Sequence, residues 1–487
     1  VAGGSSEPVV IVPPAGDGAG GDAPPAWAPP APGAAPARPR VALVALGCRV
    51  NRAEVDALAA ELRDGFDLAG EGEPADLVVV NTCAITGDAE AAARQAVRRT
   101  ARERPGARIV ATGCYAEIAP DAFRELPGVA AVVGARSAGE LPAVLRRLAR
   151  EAAGGAAGAA SAEPLEPAAP APAGGRAPRW GPPPVERYLH TRPFLKVQDG
   201  CDAGCAYCVV PLARGPSRSM PFEEAVRQLQ ALGRAHAEVV LTGVHLGAYG
   251  EDLAPARSLA DLVRAAAASG AVHRLRLSSV EPPELPRDLL LDRATAPFLC
   301  EHFHLPLQSG SPRLLAAMGR PYLPAAFREV VQETAALVPG ACIGTDVMTG
   351  FPGETDADHA ATLALVESLP LAYLHVFPFS PRPGTVAAAL PDPVPPQVAK
   401  ARARELLAVS DRRWRAFLAA QIGREAEVVV ERVEGGFARG TSRQYATVRW
   451  PASREARGAL ARVRIEAVAG AECLGVRASA FRERLPP

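Results

Sequence analysis

Apolar and polar positions follow two patterns over three stretches of this chain. From residue 40 to 135, short apolar runs at 41–46, 76–80, 108–111 and 129–133 read as buried strands. Helical stretches follow them, one starting near 53, one at 89–104 and one at 120–126. Strands alternating with helices predict a parallel α/β sheet. The alternation resumes after residue 188. Strands are expected at 193–198, 238–242, 274–278, 303–307, 342–348 and 373–377, with helices at 222–235, 258–267 and 324–337. The last of these helices puts Phe327, Val330, Val331, Ala335 and Leu337 on its packed side. Six such units predict a partial (βα)6 barrel, whose chemistry belongs at the C-terminal ends of its strands. A helix at 397–420 closes this region. The pattern then changes to strands at 427–432, 445–450 and 460–468, with turn signals at Gly435, Gly436 and Gly458. This predicts a small C-terminal β-barrel.

Composition sets the boundaries between these regions. Residues 1–38 are rich in Ala, Pro and Gly and are expected to be a disordered extension. The α/β domain then spans 39–149, a linker of similar composition 150–187, the partial barrel 188–418 and the small barrel 419–487. A chain of 487 residues has room for about three domains. Lys plus Arg and Asp plus Glu number 53 each, so overall charge gives no reason to expect nucleic-acid binding, and any such surface is local. Nine cysteines are too few for a disulfide scaffold in a chain of this length. No apolar run is long enough to suggest a membrane span, and no signal-like pattern opens the chain. A reducing, cytoplasmic location is the expectation.

Two cysteine sets carry the chemistry. Cys201, Cys205 and Cys208 stand in a C-x₃-C-x₂-C spacing just after a predicted strand, with Gly200 and Gly204 allowing a tight loop. Three thiolates from one loop leave one iron of a cubic [4Fe–4S] cluster without a protein ligand. A zinc knuckle is the alternative, and it would want a fourth ligand or a water. Cys48, Cys83 and Cys114 each follow a predicted strand of the first sheet, so their loops are expected at one edge. A lone cysteine at such a place is ordinarily a small buried hydrophobe. Cys300, Cys342 and Cys473 show no pattern and are expected to be packing residues.

The cysteine loop resembles that of the radical S-adenosylmethionine (SAM) enzymes, and Tyr207 before the third cysteine fits their habit of an aromatic there. The words GCRVN, NTCAITGDAE and TGCYAEIAP look like those of the methylthiotransferases within that superfamily. VQDGC, LTGVHLGAYG, HLPLQSG, TDVMTGFPGET and HVFPFSPRPGT look like the branch that modifies N6-threonylcarbamoyladenosine in tRNA. The branch acting on N6-isopentenyladenosine typically has GCQMN and EGCN where this chain has GCRVN and DGCD. Asp202-Ala203 departs from the asparagines common in relatives but keeps the cysteine spacing.

The resemblance implies two [4Fe–4S] clusters, on Cys201/Cys205/Cys208 and on Cys48/Cys83/Cys114, with SAM as cosubstrate. It implies transfer of a methylthio group to C2 of threonylcarbamoyladenosine at position 37, next to the anticodon. The alternatives are isopentenyladenosine tRNA, an aspartate of ribosomal protein S12, or a non-catalytic iron–sulfur RNA-binding protein. Polar residues at strand ends are the SAM-contact candidates: Gln198, Thr242, Gly243, Ser278, Glu281, Gln308 and Asp346, with Tyr207. The tRNA anticodon stem-loop is the expected partner, with an electron donor such as flavodoxin or ferredoxin and a sulfur donor that the sequence does not specify. RNA-contact candidates are Arg94 and Arg98 on the second helix and Arg214 and Arg218 after the cysteine loop. Arg439, Arg443 and Tyr445 join them in the C-terminal segment, where residues 421–487 hold 12 arginines against 8 acidic residues.

Overall fold

The structure is a computed structural model that describes residues 38–70, 72–153, 191–292, 295–452 and 455–478, with Val9, Val10 and Trp180. Most of the expected extension at 1–38 and of the linker at 150–187 lies outside the described residues. The chain divides between residues 189 and 190 into two compact units.

The first unit is a parallel sheet of β1 (Arg40–Ala45), β2 (Leu77–Thr82), β3 (Arg108–Gly113) and β4 (Val129–Gly134), side by side in that order. β1, β2 and β3 are almost wholly buried, which is why they read as unbroken apolar runs. Val9–Val10 pairs antiparallel with β1, a two-residue strand where only an unstructured extension was expected. The helix Arg49–Leu62 starts directly after Cys48, four residues earlier than its apolar pattern suggested, because no side chain caps it and no capping signal marks the start. The helix Gly87–Glu103 is capped by Thr86, whose Oγ1 accepts from the Ala89 N–H at 3.1 Å. Two helices were missed, Cys114–Ile118 and Leu141–Ala153. The second packs Leu141, Leu145 and Leu148 on the sheet beside Val55, Leu58 and Leu62, and runs into the stretch assigned to the linker.

In the second unit, β5 (Phe194–Asp199), β6 (Glu238–Gly243), β7 (Arg274–Leu277), β8 (His302–His304), β9 (Cys342–Thr349) and β10 (Tyr373–Pro378) are parallel. Single bridges, Leu275 to Leu299 and Ser279 to His304, join the β5–β6–β7 and β8–β9–β10 sheets. This is the expected six-stranded partial barrel. β8 is shorter than expected, since Pro306 has no N–H to give and Gln308 takes a φ of 72°. The helices Phe222–Ala235 and Pro324–Leu337 fall where the sequence placed them.

Five strands close the C-terminal barrel: β11 (Glu425–Glu434), β12 (Phe437–Ser442), β13 (Thr447–Pro451), β14 (Leu460–Ala469) and β15 (Glu472–Arg477), in the order β11-β12-β13-β15-β14. β12 and β15 were not foreseen, because FARGTS and ECLGVR each carry an interior glycine and an arginine that blur the strand signal.

A buried ionic knot ties this barrel to the N-terminal ends of β6 and β7. Glu238 is fully buried and holds Arg274 at 2.6 Å, Arg276 at 2.7 Å and Arg192 at 3.3 Å. The two β7 arginines spend their remaining donors on the small barrel: Arg274 on the Glu427 and Thr441 carbonyls, Arg276 on those of Ser442 and Arg443. Burial alone would push the Glu238 carboxyl up, but Arg276, Arg274 and Arg192 outweigh it and hold it well below the usual range. The C-terminal barrel thus caps the end of the partial barrel opposite the cysteine loop.

Candidate active site

The cysteine loop leaves β5 at Gly200, whose φ of +71° and closeness to the chain at 215–216 admit no side chain: a Cβ there would lie 1.9 Å from the Pro216 carbonyl oxygen. Two buried residues fix the loop. Asp199 receives Arg214 at 2.9 Å, Lys196 at 2.9 Å and the Gly200 N–H at 2.9 Å. Burial opposes its charge, but Lys196 and Arg214 overcome this and hold its carboxyl low. Gln198 donates to the carbonyls of Asp199 and Gly200 and to Ser217 Oγ, while its Oε1 accepts the His245 N–H at 2.6 Å. Gln198, expected to touch SAM, is therefore spent inside the protein as the clamp of the loop. Gln198→Ala should leave those buried groups unpaired, costing about 1–3 kcal/mol each way they fail to find water. A thermal unfolding comparison should show a clear drop in Tm.

The thiols of Cys201, Cys205 and Cys208 are half-buried and none of the nine cysteines is in a disulfide. Hydrogen-bond donors reach two of them. The Ala203 N–H points at Cys201 Sγ at 3.4 Å, Arg320 Nη1 donates to Cys205 Sγ at 3.4 Å, and His245 Nδ1 lies 3.6 Å from Cys201 Sγ. Hydrogen bonds to Cys201 and Glu284 push the His245 pKa up to about 10. Donors on two of the three thiols of one loop, an arginine and a histidine among them, fit an anionic iron–sulfur group. Arg320 also reaches Glu281 and Tyr322, linking the strand-end carboxylate to the loop.

Two of the other strand-end candidates have open bonding capacity. Among the described residues, Ser278 Oγ and Gln308 Oε1 are buried without a hydrogen-bond partner. Gln308 also holds the left-handed backbone noted above, a strain found where a side chain is aimed for a purpose. Thr242 is buried, and Gly243 packs on Gln198 so closely that a Cβ would lie 3.0 Å from the Gln198 Cβ. Tyr207 packs in a cluster with Ala206, Met318, Met348 and Phe351. Asp346 is engaged by two histidines that sequence reasoning did not single out, His304 at 2.9 Å and His375 at 3.3 Å.

In the first unit, Cys48, Cys83 and Cys114 follow the C-terminal ends of β1, β2 and β3, which are neighbours in register. Gly47 lets the first loop lie on the second: with φ +84°, a Cβ there would be 2.4 Å from the Cys83 Cβ and 2.9 Å from its sulfur. Asn51 Nδ2 donates to the carbonyls of Leu46 and Thr82, and Thr82 Oγ1 donates to the Thr112 carbonyl and accepts the Ala116 N–H. These bonds lace the three cysteine loops together. Asn81 Oδ1 and Thr112 Oγ1 beside them are buried without a partner among the described residues. A thiolate set with open polar capacity around it suits a second inorganic cluster.

Of the RNA-contact candidates, Arg98 is exposed, and Arg94 is half-buried and donates to the Tyr115 hydroxyl. Arg439 is half-exposed and paired with Glu472. Arg218 is half-buried and donates to the Arg214 carbonyl. The others are engaged internally. Arg214 is buried on Asp199, and Arg443 binds Glu301 and the carbonyls of Pro297 and Leu299. Tyr445 is stacked on His302 at 4.2 Å with the Arg276 guanidinium over its ring, so its expected base-stacking face is used to seat the barrel. Phe437, which no sequence motif marks, is 44 % exposed at the start of β12 with Arg449 over its ring at 5.2 Å.

A model of the radical SAM superfamily matches residues 195–366, and one described as uncharacterized protein family UPF0004 matches residues 40–134. The threonylcarbamoyladenosine tRNA methylthiotransferase MtaB of Aquifex aeolicus is 34% identical, over 80% of this chain and 92% of its own length. The ribosomal protein uS12 methylthiotransferase RimO of Desulforudis audaxviator is 36% identical, over 81% and 86% respectively. The tRNA-2-methylthio-N(6)-dimethylallyladenosine synthase of Sorangium cellulosum is 35% identical, over 81% and 82%. Identity this even across three substrates does not select among them. No helix among the described residues is long and apolar enough to cross a membrane. With a six-stranded parallel partial barrel behind a three-cysteine loop, an N-terminal α/β sheet with its own cysteine edge and a closed C-terminal barrel, the chain belongs to the radical SAM methylthiotransferase family of enzymes.

Proposed function

We propose that this enzyme converts N6-threonylcarbamoyladenosine at position 37 of tRNA to its 2-methylthio derivative. The observation that carries the substrate is the polar interior below the cysteine loop. On one face of β10, Tyr373 sits in the core shared with the C-terminal barrel, and Phe377 packs near Tyr207 and Met348 of the cysteine-loop cluster. Between them His375 joins His304 and Asp346. A threonylcarbamoyl group brings a carboxylate, a hydroxyl and a urea to such a surface. An isopentenyl group has no polar atom to offer this surface and would only strip water from the part-exposed Asp346 and His375, which disfavours it.

Cys201, Cys205 and Cys208 would hold one [4Fe–4S] cluster, and Cys48, Cys83 and Cys114 a second. When bound, the first supplies the electron that cleaves SAM reductively and the second carries the sulfur to be transferred. The chain's own residues prepare this. Gln198 and Asp199 hold the loop, Arg320 and His245 donate to its thiols, and Ser278 and Gln308 offer unspent polar atoms to the nucleoside of SAM. The electron enters from a small redox protein such as a flavodoxin or ferredoxin.

The C-terminal barrel would grip the tRNA through its outer face, where Phe437 offers a base-stacking ring flanked by Arg439 and Arg449. Phe437→Ala should weaken tRNA binding by about 1–3 kcal/mol, and Arg439→Ala should lower the salt slope of binding by about one. Filter binding across a salt series reads both. The substrate reading is tested by offering the reconstituted enzyme three substrates under anaerobic conditions: tRNA with threonylcarbamoyladenosine, tRNA with isopentenyladenosine, and protein S12. Mass spectrometry should find one methylthio group on the first only. Product on either of the others instead would reassign the substrate.

A further inference from the structure

His304, Asp346 and His375 come from three consecutive parallel strands. Asp346 is the register partner of His375, and Gly344, two residues earlier on β9, is the partner of His304. The two-residue period of a strand puts all three side chains on one face. One donor atom of each lies within 4.8 Å of the others, with His304 Nε2 at 2.9 Å and His375 Nδ1 at 3.3 Å from the same Asp346 oxygen. Adjacent ligands of a six-coordinate ion with bonds of about 2.1 Å lie about 3 Å apart.

Hydrogen bonds between a carboxylate and an imidazole give similar distances, so the tyrosine behind the histidines matters. The Tyr373 hydroxyl meets His302 Nε2 at 2.9 Å and His304 Nδ1 at 3.0 Å. It has one proton, so it donates to one imidazole and accepts from the other. When it accepts from His304 Nδ1–H, the His304 Nε2 lone pair faces the Asp346 side and can ligate a cation there; when it donates to His304 Nδ1, His304 Nε2–H donates to Asp346, and a bound cation would displace that proton. Ligating histidines are ordinarily oriented through their other nitrogen in this way. Exposure rises across the set, from 4% at His304 to 22% at Asp346 and 48% at His375, so the site is reachable from outside.

We propose that His304, Asp346 and His375 bind a divalent transition-metal cation, two imidazoles and one carboxylate on one side and open positions on the other. This ligand set suits Mn²⁺, Fe²⁺ or Zn²⁺. The open positions would take oxygen donors from a substituent on the substrate base; that use rests on the tRNA reading above, and the cation site does not.

Mn²⁺ is the probe, because thiolate sites favour softer ions. The protein with both clusters reconstituted is titrated with Mn²⁺ and the unbound ion is counted by electron paramagnetic resonance, with no tRNA present. The expected result is one bound Mn²⁺ per chain, weakened at least about tenfold in His375→Ala and lost in Asp346→Asn. His375 is half-exposed, so its replacement tests the site without endangering the fold. No binding by the unaltered protein at millimolar Mn²⁺, or binding that both substitutions leave unchanged, would overturn the proposal. Failure of the tRNA reading would leave this titration as it stands.

Discussion

Cys83→Ala should abolish formation of the methylthio nucleoside while release of 5′-deoxyadenosine from SAM continues. The two cysteine sets lie in different compact units of the chain, so removing a thiol from one leaves the other loop's clamps untouched. Cys83 is buried beneath Gly47 and beside Asn51 and Thr82, which bind the loops of Cys48 and Cys114 to it. Alanine fits the same space with a smaller side chain, so the sheet should stay folded. Cys201→Ala should behave differently and stop both SAM cleavage and product formation. Product in the Cys83 variant at the unaltered rate would mean that the β1–β3 edge is a structural cysteine cluster, and liquid chromatography of the two nucleosides separates these cases.

Glu238→Ala should cost more stability than any other single change in the second unit. It leaves Arg276 buried and charged with only backbone carbonyls to bind, and Arg274 with Glu427 at 3.3 Å as its one remaining carboxylate, where both arginines are at most 1% exposed. Removing one partner of a buried ion pair typically costs about 3–5 kcal/mol, and here one carboxylate serves three guanidinium groups. The same arginines hold the backbone at 427 and 441–443, so the loss should loosen the small barrel from the partial barrel as well. Glu238→Gln, which keeps shape and loses charge, should fall between. Calorimetry should show a lower and broadened transition, with limited proteolysis cutting first near the junction at 420–424. An unchanged transition in the alanine variant would mean that water relieves the arginines.

The chemistry was legible where it lies in contiguous words. The cysteine loop after β5 and the three strand-end cysteines of the first sheet could be placed from spacing and strand pattern, because each strand was an apolar run with a polar word at its end. Helices such as Phe222–Ala235 and Pro324–Leu337 were legible for the same reason, since their apolar stripes are regular. What was hidden depends on register between distant segments. His304, Asp346 and His375 look like isolated polar residues within apolar strands, and only the pairing of β8, β9 and β10 gathers them. Arg443 and Tyr445 looked like an RNA-binding word, since a basic residue beside an aromatic has the right chemistry. Their partners, Glu301 and His302, lie more than 140 residues away, and burial at that junction reversed their meaning. Gln198 stands at a strand end like the other SAM-contact candidates, but its short-range carbonyl partners make it a clamp.

The central claim is that each three-cysteine set holds its own cluster, and iron content tests it most directly. The anaerobically reconstituted protein should carry about eight irons, as two [4Fe–4S] clusters require. Replacing Cys201, Cys205 and Cys208 together by alanine should leave about four, replacing Cys48, Cys83 and Cys114 together should also leave about four, and both sets together should leave none. About four irons in the unaltered protein, or full loss on removing either set alone, would contradict the account.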